Sequence, residues 1–364
     1  MEYKILVINT GSTSTKVSVF NGEDQIFNAE IVHNPEELNA QKTFDEQVAF
    51  RKNSIDNWLK GAGMDVSDID AVAARGGTFG RVKSGAYLVD QKLIDSCRHS
   101  ITFHDSNLSA PVAAMYAEAA GCNAYIYDAV CTDEVPPIAR HMGLKGVERR
   151  IFSHTLNTRA VARAEAEKMG KKYEDCNIIV AHMGGGSSIN LHCGGKIVDI
   201  CCDDEGPMST ERVGKMNAYT VIDMCFSGKY ATKEELKHEL KSNGGLYSHI
   251  GTKDMRVVIR KMNEGDEYAE LILNVMAYQL AKEIAALASA VKGKVDAIVF
   301  TGGCMHNDVF VQMVKERVDW IAPVAVYPGA LEMEALMKGI TRVLNGEEEA
   351  QLYPGNDVLF GMEY

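Results

Sequence analysis

The sequence is poor in proline, has no CxxC pair, and shows no uninterrupted apolar run of the roughly 20 residues that a membrane-spanning helix needs. Eight prolines, 46% hydrophobic and 24% charged residues describe an ordinary soluble protein. Positive charge is also short: the formal net charge is −12, which argues against a nucleic acid or an anionic membrane as partner. Met1-Glu2-Tyr3-Lys4-Ile5-Leu6-Val7 reads straight into a strand, without the charged and apolar regions of a signal peptide. Nine cysteines, an odd number without paired spacing, are expected as reduced thiols in a cytosol. Cys201 and Cys202 with His192 and Cys193 lack the ligand spacing of a zinc finger and read as small buried strand residues.

What is present begins with length. A chain of 364 residues exceeds what one hydrophobic core usually serves, so two domains are expected. An internal repeat supports this: residues 5–22 align without a gap on residues 178–195. Each copy is an apolar strand, a turn rich in glycine or serine, a second strand and a two-residue hairpin turn, Asn21-Gly22 or Gly194-Gly195. Third strands follow at 25–32 and 196–201. Helical spacing of apolar residues predicts helices over 43–62, 107–120, 155–169, 216–226, 266–291 and 332–344. Apolar runs predict buried strands at 71–74, 124–127 and 295–301. The pattern is α/β, in two related lobes that meet near residue 150. A site is expected in the cleft between them.

Three turns carry the chemistry. In Asn9-Thr10-Gly11-Ser12-Thr13-Ser14-Thr15-Lys16, small residues let backbone N–H groups approach an anion, hydroxyls add donors and Lys16 adds charge. It is no P-loop, because the GxxxxGK[ST] spacing is absent and a strand follows. His182-Met183-Gly184-Gly185-Gly186-Ser187-Ser188 places three glycines directly after a buried strand, with His182 matching Asn9 in the repeat. Thr301-Gly302-Gly303 closes a third strand, and a helix is expected from about Asn307, a natural place for a nucleotide's sugar and base. Each turn alone also fits an ordinary connection. Together, two of them related by a repeat, they form a specific set.

These residues resemble those of the acetate/butyrate kinase family, a branch of the actin-like ATPase superfamily, from end to end. The segment Val7 to Lys16, the histidine-bearing segments Arg149-Arg150-Ile151-Phe152-Ser153-His154 and 181–189, and Lys253-Asp254-Met255-Arg256 carry the likeness. The resemblance implies two duplicated actin-like (ribonuclease H-like) lobes, each a mixed βββαβα sheet flanked by helices. Residues 1–149 with 335–364 would form the first and 150–334 the second. It implies an ATP- and Mg²⁺-dependent phosphoryl transfer to the carboxylate of a short-chain acid, in a cytoplasmic homodimer formed through the second lobe. Arg75 would hold the acid and Arg212 the transferring phosphoryl. His154 and His182 would donate hydrogen bonds. Asn9, Asp128 and either Glu332 or Glu334 would serve the metal, mostly through water. Ser12, Ser14, Lys16, Gly184, Gly185 and Gly186 would take phosphates, and Asp254, Arg256, Gly302 and Gly303 the adenosine.

Departures from the family pattern bear on the acid. Acetate kinases carry an Asn in the second phosphate turn where this chain has Gly185. They carry bulky apolar residues where this chain has Gly76-Gly77 and Ser153. Smaller walls would deepen the pocket, and each further buried methylene is worth about 0.8 kcal/mol, which favours butyrate over acetate. Isobutyrate, propionate and acetate remain alternatives within the family. A sugar kinase would leave the arginines unexplained. A non-catalytic nucleotide switch would bind ATP without acid-dependent turnover.

Overall fold

Ile5, Leu6, Val7 and Ile8 are all fully buried, as a strand covered on both faces requires. They form the centre of β1 (Lys4–Thr10) in the computed structural model, which describes residues 2–100 and 103–355. The chain divides into two compact units. The first holds residues up to Glu134, Met142–Leu156, and those from Leu331 on; the second holds Val135–His141 and Asn157–Ala330. The divisions fall at 156/157 and 330/331 rather than the expected 149/150 and 334/335, which assigns the whole helix Glu332–Leu344 to the first unit. Residues 356–364 of the expected first lobe lie outside the described residues.

The first unit's sheet also contains β2 (Ser14–Asn21), β3 (Asp24–Val32), β4 (Ala71–Arg75), β5 (Ala86–Leu88) and β6 (Asn123–Tyr127), in the order β3-β2-β1-β4-β6-β5. β1 runs antiparallel to β2 and parallel to β4, with Ile8 opposite Ala74. Asn9 and Arg75 therefore follow at the carboxyl ends of adjacent parallel strands, where open α/β sheets bind ligands. Helix Phe44–Gly61 begins with a capping box between Thr43 and Glu46 and buries Val48, Arg51, Ile55 and Leu59 at helical spacing. Helix Glu332–Leu344 packs on β1, β4 and β6, so its first residue stands over those strand ends.

The second unit repeats the plan. Its sheet comprises β7 (Asn177–Met183), β8 (Ser187–Cys193), β9 (Lys196–Cys201), β10 (Ala297–Gly302) and β11 (Val324–Pro328), in the order β11-β10-β7-β8-β9. β7 and β10 are parallel, with His182 opposite Thr301, the counterpart of Asn9 and Arg75 in the first sheet. β11 lies outside the expected strands: its residues are all at least partly exposed and it ends in Pro328, so no buried apolar run announces it. Among the described residues, Glu267–Ala290 is the one helix long and apolar enough by composition to cross a membrane, although Glu270, Lys282 and Glu283 interrupt its apolar run. Its Leu273, Met276, Leu280 and Ile284 are fully buried in the core beneath β7–β10.

Candidate active site

Arg75 ends β4, and its Nη2 lies 3.2 Å from Glu332 Oε1, each side chain 15% exposed. The second oxygen of Glu332 accepts a hydrogen bond from Asn9 Nδ2 at 2.8 Å. The first unit thus gathers three of the expected residues. Glu332, rather than the exposed Glu334, is the acid that meets them. Asp128 follows β6 in left-handed backbone, φ 41°, and its Oδ1 accepts from Gly85 N–H at 2.8 Å, a clasp that holds the segment after the strand. No cluster of three or more His, Cys, Asp or Glu suited to a metal occurs among the described residues. One lightly exposed carboxylate beside an amide fits Mg²⁺, which takes few protein ligands and keeps its waters.

Backbone hydrogen bonds lay the expected acid-pocket residues side by side. Gly76 O accepts from Val130 N–H, Gly77 O from Cys131 N–H, and Val130 O from Ser153 N–H. His154 follows Ser153 in the same unit. The two glycines do not widen a pocket, contrary to expectation. A Cβ at Gly76 would strike Ile126 and Ala129, and one at Gly77 would strike Asn107. They are glycine because backbone and core approach too closely for a side chain.

The turn after β1, where phosphate is expected, rests on Arg51, a residue outside the expected site. Arg51, with no exposed surface, donates from Nη2 to Gly11 O (2.7 Å) and from Nη1 to Ser14 O and Thr15 Oγ1 (both 3.0 Å). Its signal was a charged residue in the apolar stripe Val48, Ile55, Leu59. Ser12 and Lys16 are exposed, and Ser14 Oγ donates to Glu30. Thr15 Oγ1 also meets His33 Nε2 at 2.9 Å. Thr15 Oγ1 accepts from Arg51, and its bond to His33 Nε2 runs in the direction that the imidazole tautomer sets. Burial first, and the Arg51 charge second, lower the His33 pKa from 6.5 to about 4. The unfolded chain takes up a proton below pH 6.5 that the folded chain refuses until about 4. Folding stability should therefore be full above that window and fall as pH drops through it. His33→Gln, followed by denaturant titration at pH 7 and pH 5, should flatten part of that slope; an unchanged slope would remove His33 as a cause.

In the second unit, His182 is buried, and its Nδ1 lies 2.9 Å from Asn157 Nδ2. The same amide nitrogen donates to Thr301 Oγ1 at 3.1 Å. Asn157 thereby makes Nδ1 an acceptor and assigns the ring proton to Nε2, the nitrogen beside Gly184. Asn157 carried no sequence signal, since its partners come from strands 25 and 144 residues away.

The glycine turn has Arg212 and Glu211 against it. A Cβ at Gly186 would lie 3.0 Å from Arg212 Nε, and one at Gly185 would lie 2.9 Å from Glu211 Oε1. Glu211 pairs with Lys253 at 2.6 Å. Arg212 Nη1 lies 2.8 Å from Asp203 Oδ2, yet its Nε and Nη1 are buried without a well-formed hydrogen bond. Burial raises the Asp203 carboxyl, and the Arg212 charge opposes that rise. The Arg212 Nε, buried beside a glycine turn without a hydrogen-bond partner, suits an anion.

A cavity of about 650 Å³ opens next to this turn, lined by Gly184, Gly185, Thr210, Asp254, Arg256 and Gly303 among others. Its size suits a nucleoside. Asp254 caps helix Met255–Asn263 and receives the Arg256 guanidinium, so the two form a single ion pair at the rim. Gly302 is absent from the lining; at φ 96° it backs onto the Met183 backbone and permits the close approach of β10 to β7.

Two sheets that share one order over five strands, β3-β2-β1-β4-β6 and β9-β8-β7-β10-β11, each with a turn of small residues at the equivalent strand end, define a duplicated actin-like α/β protein. Solved structures share the fold. The acetate kinase of Porphyromonas gingivalis superposes with a TM-score of 0.75 at 21% identity, over 93% of this chain and 99% of its own. A propionate kinase from Francisella tularensis gives 0.74 at 16% identity, over 93% and 98%. The profile of the Acetokinase family matches residues 126–326. Butyrate kinase 2 of Clostridium acetobutylicum is 41% identical over 356 residues, 97% of this chain and all of that protein. The chain belongs to the acetokinase family.

Proposed function

We propose that this protein is a butyrate kinase, moving the γ-phosphoryl group of ATP reversibly to the carboxylate of butyrate to give butyryl phosphate and ADP. The observation that carries the reading is Arg75, a guanidinium at a strand end that already holds a carboxylate, that of Glu332. The full-length likeness to butyrate kinase 2 supports butyrate as the acid. A carboxylate is ionised at neutral pH, so no general base is needed. Its oxygen attacks the γ-phosphorus in line, a new O–P bond forming as the bond to the β-phosphate oxygen breaks and ADP leaves. Arg75 offsets the acid's charge and Arg212 that of the phosphoryl. His182 Nε2–H and His154 donate to oxygens that gain charge in the transition state. Gly184–Gly186, with Ser12, Ser14 and Lys16, take the phosphates, and Asp254, Arg256 and Gly303 the adenosine. Glu332 and Asn9, with Asp128 through water, would hold Mg²⁺, which neutralises phosphate charge when bound.

A homodimer through the second unit belongs to the same reading. Helix Ala218–Phe226 buries none of its residues, and Tyr219 and Phe226 are 77% and 85% exposed. Tyr268, Leu271 and Tyr278 add apolar area on the outer face of Glu267–Ala290. Cytoplasmic location accords with nine free cysteines.

The test is hydroxylamine trapping of acyl phosphate with Mg-ATP and straight and branched acids of two to five carbons. Butyrate should give the strongest hydroxamate signal. A stronger signal from isobutyrate, propionate or acetate would reassign the acid, and no signal from any would favour a nucleotide switch.

A further inference from the structure

The contact between Arg75 and Glu332 places one carboxylate where another is needed. Resting on the butyrate kinase reading, we propose that Glu332 is an internal competitor of the acid: its carboxylate holds Arg75 until metal-nucleotide draws it away, and acid binding is thereby coupled to nucleotide binding.

The geometry supplies the reasons. Among the described residues Arg75 has two side-chain partners, Glu332 at 3.2 Å and Ser106 Oγ at 3.5 Å, and Glu332 is the anion of the two. The engagement is through one arm, Nη2 to Oε1. A free carboxylate can take both arms of a guanidinium, a stronger arrangement than a single contact. Both side chains are only 15% exposed, so water screens the pair little. Glu332 is also placed to leave. It is the first residue of its helix and follows Gly329, at φ 82°, in the connecting turn. Its other oxygen is on Asn9, which the reading assigns to the metal side. A divalent cation prefers carboxylate oxygens. Drawing Glu332 toward Asn9 and the metal would release Arg75 at the moment the nucleotide arrives. Linkage then requires that acid and metal-nucleotide tighten each other's binding.

The test is calorimetric titration of sodium butyrate into protein free of metal and nucleotide. Glu332→Gln keeps an acceptor for Asn9 and removes the charge that faces Arg75. It should bind butyrate about tenfold more tightly than the unaltered protein, the worth of one charge-assisted contact no longer exchanged. Glu332→Ala should show the same direction, and thermal melting confirms that each variant is folded. Adding Mg²⁺ and a non-hydrolysable ATP analogue should raise butyrate affinity in the unaltered protein and much less in Glu332→Gln. Equal or weaker metal-free binding by both folded variants would overturn the proposal. If the unaltered protein still bound butyrate with metal-nucleotide, the kinase reading would stand without it. Failure of every short acid to bind under any condition would remove the kinase reading and this inference together.

Discussion

Arg75→Ala should lower kcat/KM for the acid by about a thousandfold while leaving the fold intact. The size follows from what the guanidinium is asked to do. Two anions must come within bonding distance, and the protein's own net charge of −12 opposes both. A charge-assisted contact to a carboxylate is worth about 1.5–3 kcal/mol, and removing one preorganised donor from a developing charge costs about a hundred- to a thousandfold in rate. The fold should survive because Arg75 is the last residue of β4 and makes one further side-chain contact, to Ser106. Arg75→Lys keeps the charge and loses the fork, so it should recover only part of the loss. Steady-state hydroxamate kinetics with circular dichroism melting decide the matter. A folded Arg75→Ala protein with near-normal kcat/KM would show that the acid binds elsewhere.

The fold is more legible in the sequence than the site, for a physical reason. Long buried strands and long amphipathic helices write their period into local sequence, so β1, β7, β10 and the helix Glu332–Leu344 were visible. The gapless repeat then supplied topology, since it made Asn9 and His182 equivalent, and the two sheets place them opposite Ala-Arg and Thr-Gly strand ends of the same kind. Partners contributed by distant segments left no such trace. Asn157 orients His182 from a helix start, and Asp203 sits on Arg212 from the turn after β9. The choice between Glu332 and Glu334 was also invisible, because both are acids in one helical turn and only packing on the sheet decides which faces Arg75. The glycines at 76 and 77 show the converse error. Small size was read as room for a ligand, whereas the space beside each is filled by Ile126 and Ala129 or by Asn107.

Arg51 yields the largest expected effect on stability. A guanidinium with no exposed surface is costly to bury, and burial presses its pKa below the ordinary value, with Asp105 the acid that opposes the shift. The cost is tolerated because the fork reaches Gly11 O, Ser14 O and Thr15 Oγ1 at once, tying both arms of the first phosphate turn to helix Phe44–Gly61. Arg51→Met retains much of the stem's volume and removes every one of these donors. Gly11 O then loses its side-chain donor outright, Ser14 O keeps only Gly11 N–H and Thr15 Oγ1 keeps only His33, a loss of about 3–5 kcal/mol once the guanidinium's charge-assisted bonds are gone. In units of this size each kcal/mol shifts the melting temperature by roughly 2–4 °C, so a fall on the order of 10 °C is expected by calorimetry. The freed turn should also bind phosphate less well, because Gly11 to Ser14 would no longer be held for it. KM for ATP should therefore rise more than KM for butyrate in whatever fraction of the variant stays folded. Arg51→Lys can reach one of the three acceptors and should restore only part of both quantities. If Arg51→Met melted with the unaltered protein, the turn would owe its shape to the hairpin alone. If it melted early but kept its KM for ATP, Arg51 would matter to the fold and not to the phosphate site.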